Sequence, residues 1–490
     1  MNFLEELKWR GMLHDATPGV EEQLAKEKTI AYIGFDPTAP ALTLGNFVQI
    51  MLLKLLQLSG HQPIVLMGGA TGRIGDPSGK DKERVLKTGD ELDANLAKQQ
   101  ELFYKFLDFE GVDNPATVVN NYDFYKDMNV LDFLRDVGKN LTVNYMMSKD
   151  SVKNRLESGL SFTEFSYQLL QGYDFLCLYR ENGVRLQMGG SDQWGNITSG
   201  TEMIRRNVEG GKAFAVTTPL LTKADGTKFG KSESGNVWLD GSMTSPYKFY
   251  QFWINADDRD LPKFIRYFTL KSKEEVEALE KEHADNPRAL KKILAEELTI
   301  RVHSQEDYEA VLNVSEILFN KKASKEQLMS LNETAFAAIK EEIPAFEISE
   351  NKFDNGISII DLLADATNIV ASNGDARRAI KGNAISVNKE KVASHEATIS
   401  ADQLILGKYL MVENGKKNKY IISAFRKRPI EDQGHDRSYW LSKTPRERIC
   451  AAFYFSLRAH GLDPHSYPRM DKSYFLIRNQ DSGQLKIIFG

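Results

Sequence analysis

The chain has 490 residues, 41% hydrophobic and 27% charged, the composition of a folded globular protein and not of a disordered or collagen-like one. At ~100–200 residues per domain, the length predicts two to four domains, each able to bury a core. Lys and Arg number 63 against 68 Asp and Glu, a net charge of −5, so no global basic bias marks a nucleic-acid binder and any such site is a local patch. Cys177 and Cys450 are too few and too far apart for a disulfide framework or a zinc site, and fit a reducing compartment. The start, MNFLEELKWRGML, is charged and amphipathic with no apolar signal-peptide core. The greasiest stretch, 47–58, is broken by Gln49, Lys54 and Gln57, short of a membrane span. A soluble, cytoplasmic, multidomain protein with no membrane partner is expected.

Residues 29–35 (TIAYIGF) read as a strand, ended by Asp36-Pro37-Thr38-Ala39-Pro40. Residues 45–58 carry Val48, Leu52, Leu55 and Leu56 at helical spacing, and Gly60 stops the helix. Residues 63–67 (PIVLM) form the continuous apolar run of a strand buried on both faces of a parallel sheet. This βαβ unit predicts an open α/β sheet, and a second unit ends with 184–188 (VRLQM) and a break at Gly189-Gly190. Ligands in such sheets sit beyond the carboxyl ends of the strands, so the loops after Phe35, Met67 and Met188 are where chemistry is expected. Past about residue 245 the chain turns helical. Ser272 with Glu275 fits a capping box, Asn286-Pro287 and Ser304 mark further starts, and Leu290, Ile293, Leu294 and Leu298 trace a buried face. Residues 321–352 are polar and charge-rich and read as a linker. Residues 353–425 read as a small α+β unit, with helices at 359–363 and from Asn373-Gly374-Asp375-Ala376-Arg377-Arg378, then strands near 385–387 and 420–422. The tail 426–490 holds 12 Lys and Arg against 7 Asp and Glu, with a capping box at Thr444-Pro445-Arg446-Glu447 and a stop at Gly461.

Three segments carry chemical potential. Residues 68–80 (GGATGRIGDPSGK) form a glycine-rich loop after a strand, but Ile74 and Asp81 break the Walker pattern. Lys228-Phe229-Gly230-Lys231-Ser232 places two lysines three apart, able to reach a polyphosphate from two directions. The turn 36–46 brings Thr38, Thr43 and Asn46 to a helix start, where phosphate charge is favoured, and Gly45 lets a nucleotide approach. Each alone is compatible with a plain turn or a solvated basic loop.

Taken together with GGSDQWGN (189–196), SFTEFSYQLLQGYDF (161–175) and SPYKFYQFWIN (245–255), the order and spacing resemble the bacterial tyrosyl-tRNA synthetases, nearly continuously from about residue 2 to 425. The resemblance implies an α/β chain with a Rossmann-type parallel-sheet catalytic domain (1–245, including the KFGKS loop) and a helical anticodon-region domain (246–335). A small α+β RNA-binding domain of the S-four type (353–425) and a basic extension (426–490) follow. It implies a homodimer acting on tyrosine, ATP and tRNA(Tyr), with Mg²⁺ carried on the phosphates and no metal site in the protein.

By the same resemblance, Tyr32 and Asp174 hydrogen-bond the substrate phenol, while Tyr167, Asp76 and Gln171 anchor its α-ammonium group. Asp36 contacts substrate, and Gln193 acts on the carboxylate region. Asp192 holds the ribose, with Gly34, Gly45 and Gly190 giving close backbone approach. Lys80, Arg84, Lys228, Lys231 and Ser232 clamp the phosphates, with Thr38 at the γ-phosphate. Arg377, Arg378 and Lys381 match the RNA-binding pattern. One departure stands out: the signature written HIGH in this family reads Thr43-Leu44-Gly45-Asn46, without either histidine. Losing one transition-state donor typically lowers a rate about 10²–10³-fold, so a catalytically silent RNA-binding paralogue is one alternative, and a tryptophanyl-tRNA synthetase is another.

Overall fold

The computed structural model describes residues 2–78, 87–156, 159–232, 235–320, 323–415, 418–425, 444, 475–478 and 485–488. A six-stranded sheet lies at the centre of the first part: β1 (Asp15–Ala16), β2 (Ile30–Phe35), β3 (Gln62–Met67), β4 (Thr117–Asn120), β5 (Leu186–Gly190) and β6 (Phe214–Thr218), in spatial order β1-β6-β5-β2-β3-β4. Every pairing among β2 to β6 is parallel, and β1 adds an antiparallel edge. The chain leaves β2 toward β3 and β4 on one side, then returns on the other through β5 and β6. The switch point therefore falls between β2 and β5, where a crevice opens at the carboxyl ends.

The first βαβ unit follows its hydrophobic pattern. β2 and β3 are almost wholly buried, and the helix Leu44–Leu58 buries Phe47, Val48, Met51, Leu52, Leu55 and Leu56 against them. The expected break at Gly189-Gly190 does not occur. Both glycines continue β5, pairing with Thr217 and Thr218; glycine weakens a strand but lets other groups come close, and a Cβ at Gly190 would lie 2.6 Å from Asp192 Oδ1.

Two compact units are present, one made of Met1–Ala345, Gly382–Val392 and Met411–Ile421, the other of Phe346–Lys381, Ala393–Leu410 and Ile422–Gly490. In the first, the helices beyond residue 245 pack directly onto the sheet-bearing part. Arg10 donates to the carbonyls of Arg266, Thr269 and Lys271 at 2.6–2.8 Å, and Phe47 stacks on Phe268 with ring centres 5.5 Å apart. The caps at Ser272, Asn286 and Ser304 start helices as their sequences imply. The linker expected at 321–352 is instead largely structured, with helices Lys325–Met329 and Glu333–Glu342 and a strand Ala345–Ser349. Its polar composition masks two cap residues, Ser324 and Asn332, and four buried anchors, Leu328, Leu331, Phe336 and Ile339.

In the second unit, the expected helix at 359–363 is a short turn, Ile359–Asp361, continued by a π-helical turn to Ala366, and a regular helix runs Asn373–Lys381. Residues 445–447 of the expected capping box and the stop at Gly461 lie outside the described residues; from the extension, strands Phe475–Arg478 and Leu485–Ile488 pair antiparallel. Among the described residues no helix is long and apolar enough to cross a membrane.

Candidate active site

A cavity of about 330 Å³ opens at the switch point. Thirteen residues singled out from the sequence line it: Tyr32, Gly34, Asp36, Thr38, Gly45, Asn46, Asp76, Tyr167, Gln171, Asp174, Gly190, Asp192 and Gln193. They come from the ends of β2 and β5, the loop after β3, the first turn of the 44–58 helix, and one face of the long helix Phe162–Glu181. On that helix Tyr167, Gln171 and Asp174 follow one another at i, i+4 and i+7, a polar stripe facing the sheet.

The floor is buried and polar. Asp174 is buried, accepting from Tyr125 Oη at 2.6 Å and from Asn121 Nδ2 at 2.9 Å. Burial pushes its carboxyl up to about 7, against the opposing effect of those two bonds. Among the described residues the Tyr32 hydroxyl has no hydrogen-bond partner, although its residue is fully buried. Burial, then the charge of Asp174, raises its pKa well above that of a free phenol, so it is a neutral donor. Gln49 Oε1, Gln171 Oε1 and Gln187 Oε1, lining the same cavity, also lack a partner among the described residues. An unsatisfied buried polar group costs roughly 1–3 kcal/mol, so four in one cavity mark a place built for a polar guest.

Above the floor the side chains order one another. Tyr167 Oη donates to Asp36 Oδ2 at 2.9 Å, and Thr71 Oγ1 donates to Asp36 Oδ1 at 2.7 Å. Gln193 Nε2 donates to Asp76 Oδ2 at 2.7 Å. Gly68 is required here because a Cβ at that position would collide with Asp36 Oδ1 and crowd Thr71 Oγ1. At the cavity's other side Gly34 is exposed within β2, leaving bare backbone beside Gly190 and Asp192.

The phosphate side is arranged differently from the expectation. Thr43 does not line the cavity; it caps the 44–58 helix, its hydroxyl donating to Asn46 Oδ1 at 2.8 Å while Asn46 N–H donates back to Thr43 Oγ1. Asn46 Nδ2 donates to no described residue, and Asn46 reaches the cavity at the positive end of the helix. Lys228 and Lys231 are exposed and stand away from the cavity. Lys231 lines a separate one of about 900 Å³ together with Lys223, Trp238 and Phe252. Between the two lysines, Phe229 is buried and stacks on Phe268 with ring centres 5.2 Å apart. Gly230, at φ 80°, passes so close to the 44–58 helix that a Cβ there would lie 3.0 Å from Gly45 N. The loop is thus pinned at its middle next to the helix start. Ser232 sits in a short hairpin strand with Lys231, and Lys80 and Arg84 lie outside the described residues.

In the second unit Arg377, Arg378 and Lys381 are exposed on the Asn373–Lys381 helix; Arg378 is paired with Asp375 three residues earlier. The sequence reading missed Asn121, Tyr125 and Thr71. The first two follow β4, a strand too short and too exposed to show an apolar run, although Asn120-Asn121-Tyr122-Asp123 has the composition of a loop after a strand.

A family model described as tRNA synthetases class I (W and Y) matches residues 24–320, and one described as the tyrosine–tRNA ligase SYY-like C-terminal domain matches 335–422. A curated tyrosine–tRNA ligase of Cytophaga hutchinsonii is 58% identical over 425 residues, covering 86% of this chain and 99% of the relative. The chain belongs to the bacterial tyrosyl-tRNA synthetase family. A second such ligase, from Porphyromonas gingivalis, is 54% identical over 429 residues, with 86% of this chain and 99% of the relative covered. The fold agrees: a crystal structure of a C-terminally truncated Aspergillus nidulans mitochondrial tyrosyl-tRNA synthetase superposes with a TM-score of 0.58 at 30% identity, covering 65% of this chain and 94% of that one.

Proposed function

We propose that the 330 Å³ cavity binds L-tyrosine and that the chain joins it to tRNA(Tyr) at the expense of ATP, as a class I tyrosine–tRNA ligase. The observation that carries this reading is the orphaned Tyr32 hydroxyl on the same floor as Asp174. A substrate phenol accepts from the first, giving that hydroxyl its missing partner, and donates to the second. Phenylalanine leaves the Tyr32 hydroxyl without an acceptor, and an indole N–H, which can only donate, does the same; neither phenylalanine nor tryptophan fits this floor. Tyr167, Asp76 and the unpaired Gln171 Oε1 offer oxygen acceptors to the α-ammonium group, with Asp36 holding Tyr167 in place and Gln193 holding Asp76 beside the carboxylate.

The substrate carboxylate attacks the ATP α-phosphorus, the bond to pyrophosphate breaks, and tyrosyl-adenylate forms. A hydroxyl of the terminal tRNA adenosine then attacks the mixed anhydride and AMP leaves. No side chain acts as nucleophile; the protein supplies position and charge. Gly34, Gly45, Gly190 and Asp192 receive the adenosine. Thr38, Thr43 and Asn46 act at the phosphates with Lys80, Arg84, Lys228, Lys231 and Ser232. Mg²⁺ arrives on the phosphates of ATP, the usual way this strongly hydrated cation is held. The residues to 245 carry catalysis, those from 246 to 335 face the anticodon region, and Arg377, Arg378 and Lys381 contact tRNA phosphates. The exposed apolar side chains Val130, Leu131, Leu134 and Val143 suit a second copy of the chain, forming a homodimer. The reaction runs in the cytoplasm, where its substrates are.

Purified full-length chain is expected to exchange pyrophosphate into ATP when tyrosine is supplied, and not when phenylalanine or tryptophan replaces it. A chain that gives no tyrosine-dependent exchange overturns the reading in favour of a silent RNA-binding paralogue.

A further inference from the structure

The floor of the cavity is one proton short. Tyr125 Oη lies 2.6 Å from Asp174 Oδ1 and 2.8 Å from the carbonyl oxygen of Leu170. With Asp174 ionised both neighbours are acceptors only, and a phenol has one proton to give, so one of these short contacts lacks a hydrogen. A proton on Asp174 Oδ1 resolves the conflict: the acid donates to Tyr125, and Tyr125 donates to Leu170. Asn121 Nδ2 still donates to Asp174 Oδ2.

The surroundings favour the neutral acid. Asp174 is 1% exposed. The titratable groups around this pair are Tyr32 and Asp36 from β2 and its end, Tyr167, Tyr173 and Cys177 from the same helix as Asp174, and Tyr125 itself. Among the described residues no cation acts on Asp174, and the charge of Asp36 disfavours a second carboxylate.

We propose that the Asp174–Tyr125 pair holds a proton in the empty pocket, and that the arriving tyrosine hydroxyl displaces it to solvent by donating to the carboxylate. Tyr125 is then the positioning residue that links tyrosine affinity to pH. In the bound state Tyr125 turns its own proton from Leu170 to Asp174, Tyr32 donates to the substrate oxygen, and the substrate keeps its phenolic proton. The ammonium group entering the same cavity offsets the new negative charge. Asp174 titrating at about 7 makes this proton exchangeable near neutrality. The inference rests on tyrosine being the substrate.

The test is calorimetric titration of the full-length chain with tyrosine at pH 7 in two buffers of different ionisation enthalpy. Up to one proton is expected to be released per tyrosine bound, and none when phenylalanine is driven into the site. The tyrosine KM should fall as pH rises from 5.5 to 7, by up to about tenfold per unit for a single linked proton. Tyr125→Phe should raise that KM about tenfold with kcat within about threefold, and move the midpoint of the profile upward because the ionised acid loses a charge-assisted donor. Tyrosine binding by the natural chain with no proton released and a flat KM profile overturns the proposal, whether or not the variant folds. So does a Tyr125→Phe enzyme with an unchanged profile. A chain that binds no tyrosine overturns the functional reading and this proposal together, so the two failures are distinguishable.

Discussion

Asp174→Asn is expected to lower kcat/KM for tyrosine by about 10²–10³-fold, the usual loss when one member of a buried, hydrogen-bonded polar pair is disabled, while raising Tm at pH 8. The activity falls because the asparagine amide competes with the substrate hydroxyl as a donor. The stability gain follows from proton linkage. The Asp174 carboxyl is raised by burial to about 7 in the folded protein, from 3.8. The native state therefore holds this proton more tightly than the unfolded chain does. Its stabilising effect is complete at low pH and is lost as pH rises from about 4 through 7, above which the fold carries a buried charge that its two hydrogen bonds only partly offset. Asparagine mimics the protonated acid at every pH, able to donate to Tyr125 and accept from Asn121. The Tm difference between variant and natural protein should therefore be larger at pH 8 than at pH 5. Thermal melts at the two pH values, beside pyrophosphate exchange, check both parts; a variant less stable at pH 8, or one with full activity, contradicts the argument.

Lys228→Ala and Lys231→Ala are each expected to slow adenylate formation by about 10²–10³-fold, the cost of removing one group that stabilises transition-state charge. Tyrosine affinity should stay within about twofold, because neither lysine lines the tyrosine cavity. Their loop is held by Phe229, stacked on Phe268, and by Gly230 close to the start of the 44–58 helix, so the proposed role at the pyrophosphate requires movement of the flanking residues alone. Pre-steady-state quenching of tyrosine fluorescence on ATP addition, compared with equilibrium tyrosine binding, separates the two effects. Adenylate formation at the natural rate in both variants would remove the lysines from the reaction.

Much of the site was legible because its parts obey strong local rules. The strand 29–35, the helix after it and the strand 63–67 follow from hydrophobic period alone, and the carboxyl-end rule then points to the loops that hold Asp36 and Asp76 and to the strand end at Gly190. The stripe Tyr167, Gln171 and Asp174 was visible as polar residues at helical spacing in an apolar helix. Less visible was whatever depends on long-range contact. Asn121 and Tyr125 are brought to Asp174 by the short edge strand β4, which has no hydrophobic signature. Thr43 looked like a phosphate donor, but local capping competes for its hydroxyl, and spacing cannot decide between the two uses. The stretch 321–352 was misread because scattered anchors such as Phe336 and Ile339 are diluted by charged residues on the outer faces of two short helices.

The central claim is that the orphaned hydroxyl of Tyr32 and the carboxyl of Asp174 receive the phenol of tyrosine. A crystal structure of the full-length chain with tyrosine bound tests it most directly. The account predicts the phenolic oxygen within about 3 Å of both Tyr32 Oη and an Asp174 oxygen, with the amino group toward Gln171 and Asp76. Tyrosine seated with its amino group at Asp174, or bound only in the larger cavity beside Trp238, would contradict it.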